Sequence, residues 1–400
     1  MRKLKYFLLP LCGILVFLSG CKSNDRVEIT ALPCQTESGS SALVKSDGEI
    51  IGLDFSDQSV GQLVNGFFTV ATPDGVTVCR LTSDGPEVVE GLSGLRSAGY
   101  MACGVMPVCR PGRHVELVDG AGETVASLEL PDGEVTETAP CFIDGALAVT
   151  TDSGLSGLVD TEGNFVVTPR FASIGPVSDG LMVAMADAET DGGTTVQLFS
   201  VIDVKGNEVF SFPASMTPVC ETFAEGKIPV RCEDGFAVAD VRAGGALTQL
   251  PRSVRRIEDV GDGLIVYRDS SGRRGLMDFS GKSILDPVYR VLRIGSDGVV
   301  AANDGAEWSL IGRDGTLIRT LPGFVVVSPA PRESSAGGFA FVGRNAAGSF
   351  LLDKKGEIVN TVPLRTIDYS RLLTRKVTTD YPVRTAPVEL PGEENPENEP

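Results

Sequence analysis

The sequence predicts an all-β protein built as a propeller-like array of about nine short-stranded units. Two different landmarks recur with a period of about 38 or 39 residues, which is the signature of a repeat architecture. Short runs rich in Val, Ile, Leu, Phe and Thr alternate with turn signals, a pattern typical of all-β folds. No segment keeps helical spacing over three turns.

The first landmark is the turn glycine of a hairpin. In five units an Asp precedes this Gly by three positions, as in Asp160 and Gly163. Such an Asp accepts a backbone N–H two residues on, and the Gly takes the positive φ that the turn needs. The nine turn glycines are Gly48, Gly85, Gly122, Gly163, Gly206, Gly244, Gly281, Gly315 and Gly356.

The second landmark is a small or acidic residue followed by Gly, directly before the next strand. Its members are Gly66, Gly99, Gly145, Gly180, Gly226, Gly263, Gly298 and Gly338. Because two separate landmarks share one period, we expect nine structural repeats between residues 27 and 364.

A ring is the expected arrangement of these repeats. One unit of three or four twisted strands cannot bury both faces alone, whereas radial stacking buries them and leaves only short edges. An open β-solenoid is the alternative. In a ring, one unit can be shared between the strand near Val27 to Thr30 and a closing strand in residues 365–377.

The two ends of the chain are predicted to lie outside the repeats. Basic residues and an apolar run precede Leu18-Ser19-Gly20-Cys21, which resembles the lipobox of bacterial lipoproteins. The resemblance implies a signal peptide at 1–20, a lipid on Cys21, a tether at 21–26 and an outer-membrane lipoprotein of the cell envelope, facing the periplasm or the surface. Residues 378–400 are acidic and proline-rich, and we expect them to be disordered.

The net charge limits the kinds of partner that we expect, and the cysteine content limits the disulfides that can form. The net charge is −18, which repels nucleic acid, so no nucleic-acid partner is expected and the lipid is the predicted link to the membrane. Seven cysteines follow Cys21. The close pairs Cys103/Cys109 and Cys220/Cys232 are either disulfides or buried thiols.

Catalytic motifs are scarce. The only histidine is His114, and we interpret it as a strand residue that is partly exposed. Neither a phosphate-binding loop nor a Gly-rich dinucleotide motif is present. The sequence therefore predicts a binding protein without enzymatic activity or cofactor. A glycan-active envelope hydrolase with two carboxylates is the alternative, although no carboxylate pair stands out.

A calcium site is one candidate in a long hairpin loop. Asp187, Glu189 and Asp191 approximate an Asp-x-Asp-x-Asp-Gly loop, in which alternate carboxylates converge on one Ca²⁺. Leu198 stands where such loops place a Glu. The alternative is a solvated acidic loop.

A basic stretch is the second candidate. Between Arg252 and Arg293 there are nine Lys and Arg residues against six acids. If they cluster on one face, they bind an acidic glycan or protein; otherwise they are scattered on strand exteriors. The partner-binding residues we select are Arg252, Arg255, Arg256, Arg273 and Arg274.

Two stretches resemble the WG repeat, a bacterial β-repeat family. They are Gly157 to Val183 and Gly275 to Val300. The Trp-Gly pair itself is replaced by Ser156-Gly157, Arg274-Gly275 and Trp308-Ser309. The resemblance implies a propeller-like binding or scaffold module with no general catalytic motif.

Together these features predict a lipid-anchored envelope protein that binds a protein or glycan through the loops of its ring. Three long loops are the expected recognition elements. They are Met101 to Arg113, Met185 to Thr195 and Pro329 to Gly338.

Overall fold

The computed structural model describes residues 27–53, 59–112, 114–131, 133–189, 193–331, 338–370 and 377. The predictions for the signal peptide, Cys21, the tether and the acidic tail concern residues outside these ranges. The described part contains 36 strands and two 3-10 helices of three residues each, which confirms the all-β prediction. None of its helices has the length and apolar character needed to span a bilayer.

The described strands form eight antiparallel sheets. We divide the first of them, which has nine strands, into blades 1 and 2, joined where Ile29 lies opposite Val64 and Ala31 opposite Leu63, and this gives nine blades. Blade 1 contains β1 (Ile29–Gln35), β2 (Ser41–Lys45), β3 (Ile50–Gly52) and β36 (Thr366–Ile367). Blade 2 contains β4 (Ser59–Val60), β5 (Leu63–Val64), β6 (Phe67–Thr72), β7 (Gly75–Thr82) and β8 (Gly85–Val88). Blade 3 contains β9 (Ser97–Ala98), β10 (Met106–Cys109), β11 (Val115–Val118) and β12 (Thr124–Ser127).

Blades 4 to 6 follow the same order from the inner to the outer strand. Blade 4 contains β13 (Val135–Thr138), β14 (Leu147–Thr151), β15 (Ser156–Val159) and β16 (Phe165–Phe171). Blade 5 contains β17 (Ser173–Ile174), β18 (Leu181–Glu189), β19 (Thr195–Asp203) and β20 (Glu208–Ser211). Blade 6 contains β21 (Thr217–Pro218), β22 (Lys227–Cys232), β23 (Gly235–Asp240) and β24 (Ala246–Gln249).

Blades 7 to 9 complete the array. Blade 7 contains β25 (Arg256–Gly261), β26 (Leu264–Arg268), β27 (Arg274–Asp278) and β28 (Ser283–Tyr289). Blade 8 contains β29 (Val291–Ile294), β30 (Val300–Asn303), β31 (Trp308–Ile311) and β32 (Leu317–Leu321). Blade 9 contains β33 (Val326–Pro329), β34 (Phe341–Asn345) and β35 (Gly348–Leu352).

The turn glycines show how the blades stack into a ring. All nine have positive φ, as predicted. A Cβ on Gly163 of blade 4 would lie 2.5 Å from Ala126 Cβ on the outer strand of blade 3. A Cβ on Gly48 of blade 1 would lie 2.4 Å from Val359 O, just beyond β35 of blade 9. Blade 1 therefore packs on blade 9 as blade 4 packs on blade 3, which favours the ring over the open solenoid.

The C-terminal part of the chain closes this ring. Strand β36 pairs with β1, with Cys34 opposite Ile367 and Gln35 opposite Thr366. It occupies the innermost place in blade 1, where other blades have their first strand. The unit shared between the two ends of the chain, expected from the sequence, is thus present in the structure.

The second landmark is a two-residue corner between the first and second strands of a blade. Seven non-glycine residues have positive φ in the described part of the chain, and each directly precedes a corner glycine that also has positive φ. They are Asn65, Cys103, Asp144, Asp179, Glu225, Asp262 and Asp297. This geometry matches a type I′ turn. The choice of Gly99 was wrong, because the corner of blade 3 is Cys103-Gly104.

Buried thiols and apolar strand residues fill the space between blades. Cys34 lies in a core shared by blades 1, 2, 3, 4 and 9, and burial raises the pKa of its thiol to about 12. Cys232 is a thiol as well, so the Cys220/Cys232 disulfide is not formed.

Candidate functional site

Seven arginines gather at one end of blade 7. Register places Arg256 opposite Arg268, and Arg268 opposite Arg274, so the three form a row across neighbouring strands. The other four lie in the segments that enter, connect and leave these strands at the same end. We call this set the arginine face: Arg252, Arg255, Arg256, Arg268, Arg273, Arg274 and Arg290.

The arginine face carries more positive than negative charge, with Asp269 in the turn between Arg268 and Arg273 and Asp304 close to Arg290. Glu258 is shared by two of its members, Arg268 and Arg274, through salt bridges to both carboxylate oxygens. Within the described residues Arg252, Arg255 and Arg256 form no salt bridge, and all three are exposed. Exposed guanidinium groups of this kind remain available for carboxylate or phosphate groups of a ligand.

A cavity of about 870 Å³ adjoins the arginine face in the channel of the ring. Its walls come from the inner strands β25, β29 and β33, from Arg274 of β27 and from the C-terminal segment, which we define as Thr366–Ser370 with Val377. Val377 forms a bridge with Cys220 of blade 6. Because β36 belongs to blade 1, the C-terminal segment joins two distant parts of the ring beside this cavity.

Most charged groups in the cavity already have protein partners. Asp259 Oδ2 accepts the Ile294 N–H at 3.0 Å, and Asp368 Oδ1 accepts the N–H and hydroxyl of Ser370 at 2.9 and 2.6 Å. Arg293 differs. Within the described residues it has no carboxylate partner and donates only from Nη1 to Ser328 Oγ, at 2.6 Å.

The residue at the Trp-Gly position tethers one blade to the next. Trp308 Nε1 donates to Val325 O at 3.2 Å, directly before the inner strand of blade 9. Arg274, at the equivalent place in β27, donates from Nη1 to Arg290 O, directly before the inner strand of blade 8. Both side chains are long N–H donors, which explains why Arg can replace Trp here.

Two members of the candidate calcium site lie on a strand, not in a loop. Asp187 and Glu189 are exposed on β18, opposite Gln197 and Thr195. The hairpin is long because its strands are long. Asp191 lies outside the described residues. No group of three metal-ligating side chains occurs among the described residues, and calcium binding stays a prediction.

The other predicted loops are also partly strands. The stretch Met101 to Arg113 contains the blade 3 corner and strand β10, since apolar residues such as Val108 are buried. His114 is half-buried, as expected, but it lies just before β11 and not on the strand. Residues 332–337 of the third loop are outside the described ranges.

Comparison with known proteins supports the repeat assignment. Residues 157–189 match the family described as WG containing repeat, at the stretch that carries one of the two best copies of the motif. No curated protein matches this sequence.

Several solved structures are similar in fold. Dihydro-heme d1 dehydrogenase NirN is 15% identical, with 88% of this chain and 77% of that chain covered and a TM-score of 0.40. BamB from Moraxella catarrhalis is 12% identical, covering 74% and 94%, with a TM-score of 0.36. The WD40 β-propeller domain of Doa1 is 14% identical, covering 73% and 91%, with a TM-score of 0.30.

Sequence reasoning selected five members of the arginine face but missed the cavity beside it. Arg293, Ser328 and Tyr369 come from different blades and from the C-terminal segment. Only the ring geometry brings them together, and no local motif marks them.

Proposed function

We propose that this WG-repeat-containing β-propeller is a lipid-anchored binding protein of the bacterial cell envelope that captures an acidic glycan on its arginine face. One observation carries the proposal: seven arginines share one end of a single blade, in a chain whose net charge is −18. A local positive field on an acidic protein favours a polyanionic partner over nonspecific adsorption to membrane or nucleic acid.

The chemistry of the face suits repeated carboxylates. Arg252, Arg255 and Arg256 are exposed, and each guanidinium presents a planar set of donors that fits a carboxylate in a bidentate way. Arg273 and Arg274 donate to Val288 O and Arg290 O, so their side chains are held in place. A partly fixed row of donors loses less conformational entropy on binding.

Binding to polygalacturonate, an anionic glycan, tests this proposal. The variant Arg252→Gln/Arg255→Gln/Arg256→Gln is expected to weaken binding by about tenfold or more, which corresponds to about 1.4 kcal/mol. The wild-type affinity should fall as salt is added.

Lys282→Gln is the matched control, because Lys282 is exposed in the same blade but lies at the opposite end, in the turn between β27 and β28. Equal losses in the triple variant and in the control would contradict an arginine-face site. Tighter binding of polyglutamate than of polygalacturonate would instead assign the face to an acidic protein.

We also infer that the protein binds without chemical turnover. Each carboxylate of the cavity is held by donors: Glu258 by two arginines, Asp259 by backbone N–H groups and Asp368 by Ser370. Release of reducing ends from polygalacturonate, lost in Glu258→Gln, would overturn this inference in favour of a hydrolase.

A further inference from the structure

The channel cavity beside the arginine face has the size and composition of a small-ligand site. Its volume of about 870 Å³ falls in the range of about 300–1,000 Å³ that is usual for ligand pockets. Arg274 belongs to both the arginine face and the cavity lining, so a polymer bound on the face can extend into the channel without a break.

The cavity lining carries three carboxylates and two arginines, and Arg293 is the arginine that has no carboxylate partner among the described residues. Glu258 is neutralised by Arg268 and Arg274. Asp259 and Asp368 accept two hydrogen bonds each within the protein. Among the lining residues that the structure describes, Arg293 donates one hydrogen bond and has no carboxylate partner. The Ser328 hydroxyl that accepts from it is buried, which holds one edge of the guanidinium in place.

The remaining groups favour a ligand that carries hydroxyls as well as one carboxylate. An ionised carboxylate has about four acceptor sites, so Asp259 and Asp368 keep acceptor capacity beyond their two bonds. A sugar hydroxyl can donate to them, whereas a carboxylate has no proton to donate, so a ligand with several hydroxyls beside a single carboxylate fits this lining better than an acidic peptide does. Tyr369 adds an aromatic ring to the lining.

We propose that the cavity binds a uronic-acid unit of the captured glycan, with its carboxylate on Arg293 and its hydroxyls on Asp259 and Asp368. This inference rests on the proposed function, because it assigns the class of sugar to the same binding surface. The arginine face holds the polymer, and the cavity selects a sugar that presents both a carboxylate and hydroxyls.

Short oligosaccharides test binding in the cavity separately from binding of a polymer on the arginine face. Trigalacturonate is the ligand, and its methyl ester is the matched neutral probe with the same hydroxyls. Arg293→Met is expected to weaken trigalacturonate binding by about tenfold or more, and the ester should bind wild type no better than it binds the variant. Lys282→Gln, at the opposite end of blade 7 and outside the cavity lining, should change trimer binding less than about threefold.

The outcomes distinguish this inference from the proposed function. One outcome is that polygalacturonate binding depends on Arg252, Arg255 and Arg256 while the affinity for trigalacturonate is unchanged in Arg293→Met. The cavity inference is then wrong, and the proposal that the arginine face binds an acidic glycan still holds. Equal binding of triglutamate and trigalacturonate would overturn the assignment to a sugar. Because Arg293 is exposed, an unchanged thermal melt of Arg293→Met is expected, and Arg293→Lys should recover part of the affinity.

Discussion

At the scale of single residues, the corner acids link neighbouring blades as well as form turns. Asp179 Oδ2 accepts the Gly226 N–H at 2.7 Å, and Asp262 Oδ2 accepts the Gly298 N–H at 3.0 Å. In both cases the donor is the corner glycine of the next blade. Asp and Asn tolerate positive φ. An Asp at the corner can therefore form the turn and also accept a hydrogen bond from the next blade.

Replacing Asp179 by Ala tests this link. The variant loses the hydrogen bond to Gly226 and the salt bridge to Arg242, and it puts Ala at positive φ. Asp144→Ala has only the last effect, since the Asp144 carboxylate accepts no hydrogen bond within the described residues. We expect Asp179→Ala to lose about 1–2 kcal/mol more unfolding free energy than Asp144→Ala, measured by urea denaturation. Equal losses would show that the cross-blade bond contributes little.

The turn aspartates predict a dependence on acid. Burial acts to raise the pKa of the Asp278 carboxyl, but hydrogen bonds from Ser280 and Lys282 outweigh it, and the pKa lies below its usual range. Asp203 follows the same balance, with Asn207 and Lys205 as donors. A depressed folded pKa stabilises the native state above the unfolded value of about 3.9 and ceases to do so as pH falls through the folded value.

The variant Asp203→Asn/Asp278→Asn keeps one acceptor oxygen on each side chain and removes the titration. Its deficit in unfolding free energy relative to wild type should therefore be largest at neutral pH and shrink below about pH 4. Urea melts between pH 7 and pH 3 measure this. A deficit that stays constant across that range would contradict the assignment.

At the scale of the blade, the turn glycines contribute both a backbone conformation and a close contact. Gly163 and Gly145 lie in blade 4, with φ of 83° and 79°. A Cβ on Gly163 would lie 2.5 Å from Ala126 Cβ, whereas a Cβ on Gly145 meets nothing within 4 Å. Substitutions at these two glycines therefore distinguish the cost of backbone strain from the cost of disturbing the packing between blades.

We expect Gly145→Ala to cost about 1–2 kcal/mol from positive φ alone. Gly163→Ala should cost about 1–3 kcal/mol more, because the blades must move apart, and Gly163→Val should be worse still. Thermal melts of the three variants give the ranking. A Gly163→Ala variant as stable as Gly145→Ala would mean that blade 4 does not pack on blade 3 through this turn.

At the scale of the whole molecule, the C-terminal segment unites the ring. It pairs with blade 1 through β36 and reaches blade 6 through the bridge between Val377 and Cys220. Directly opposed residues in antiparallel pairs have Cα atoms about 4.5–5.5 Å apart, a spacing that a disulfide can span.

Val377→Cys should therefore form a disulfide with Cys220 under mild oxidation. The oxidised variant is expected to gain about 2–4 kcal/mol of stability over its reduced form, as measured by thermal melts with and without reductant. The control is Cys220→Ser/Val377→Cys, which cannot form this bond. If no disulfide forms, Val377 does not lie beside Cys220.

The lipid anchor is a second prediction at this scale. Cys21→Ser should release the protein from membranes, because no other stretch of the sequence is apolar enough to hold it there. Fractionation of cells that express each form measures the effect. Continued partition of Cys21→Ser with membranes, resistant to salt and lost in detergent, would contradict the lipobox interpretation.

The sequence by itself determined the repeat, its period and most of its turns. Turn chemistry is local: an Asp three residues before a Gly, as in Asp160 and Gly163, produces the same hairpin wherever the chain places it. This spacing marks five of the nine predicted turn glycines, and all nine have positive φ in the structure. The prediction of Gly99 as the corner of blade 3 was wrong because the true corner, Cys103-Gly104, lacks the acidic residue that marks most other corners. The backbone of Cys103-Gly104 nevertheless has the same conformation as those corners.

Only the tertiary structure decided which side chains meet. The arginines of blade 7 share one end because antiparallel register puts the end of β26 beside the starts of β25 and β27. Arg293, Ser328 and Tyr369 line one cavity because the ring closes and its last segment returns beside the channel. Such contacts depend on how all nine blades pack together, and no single repeat of the sequence contains that information.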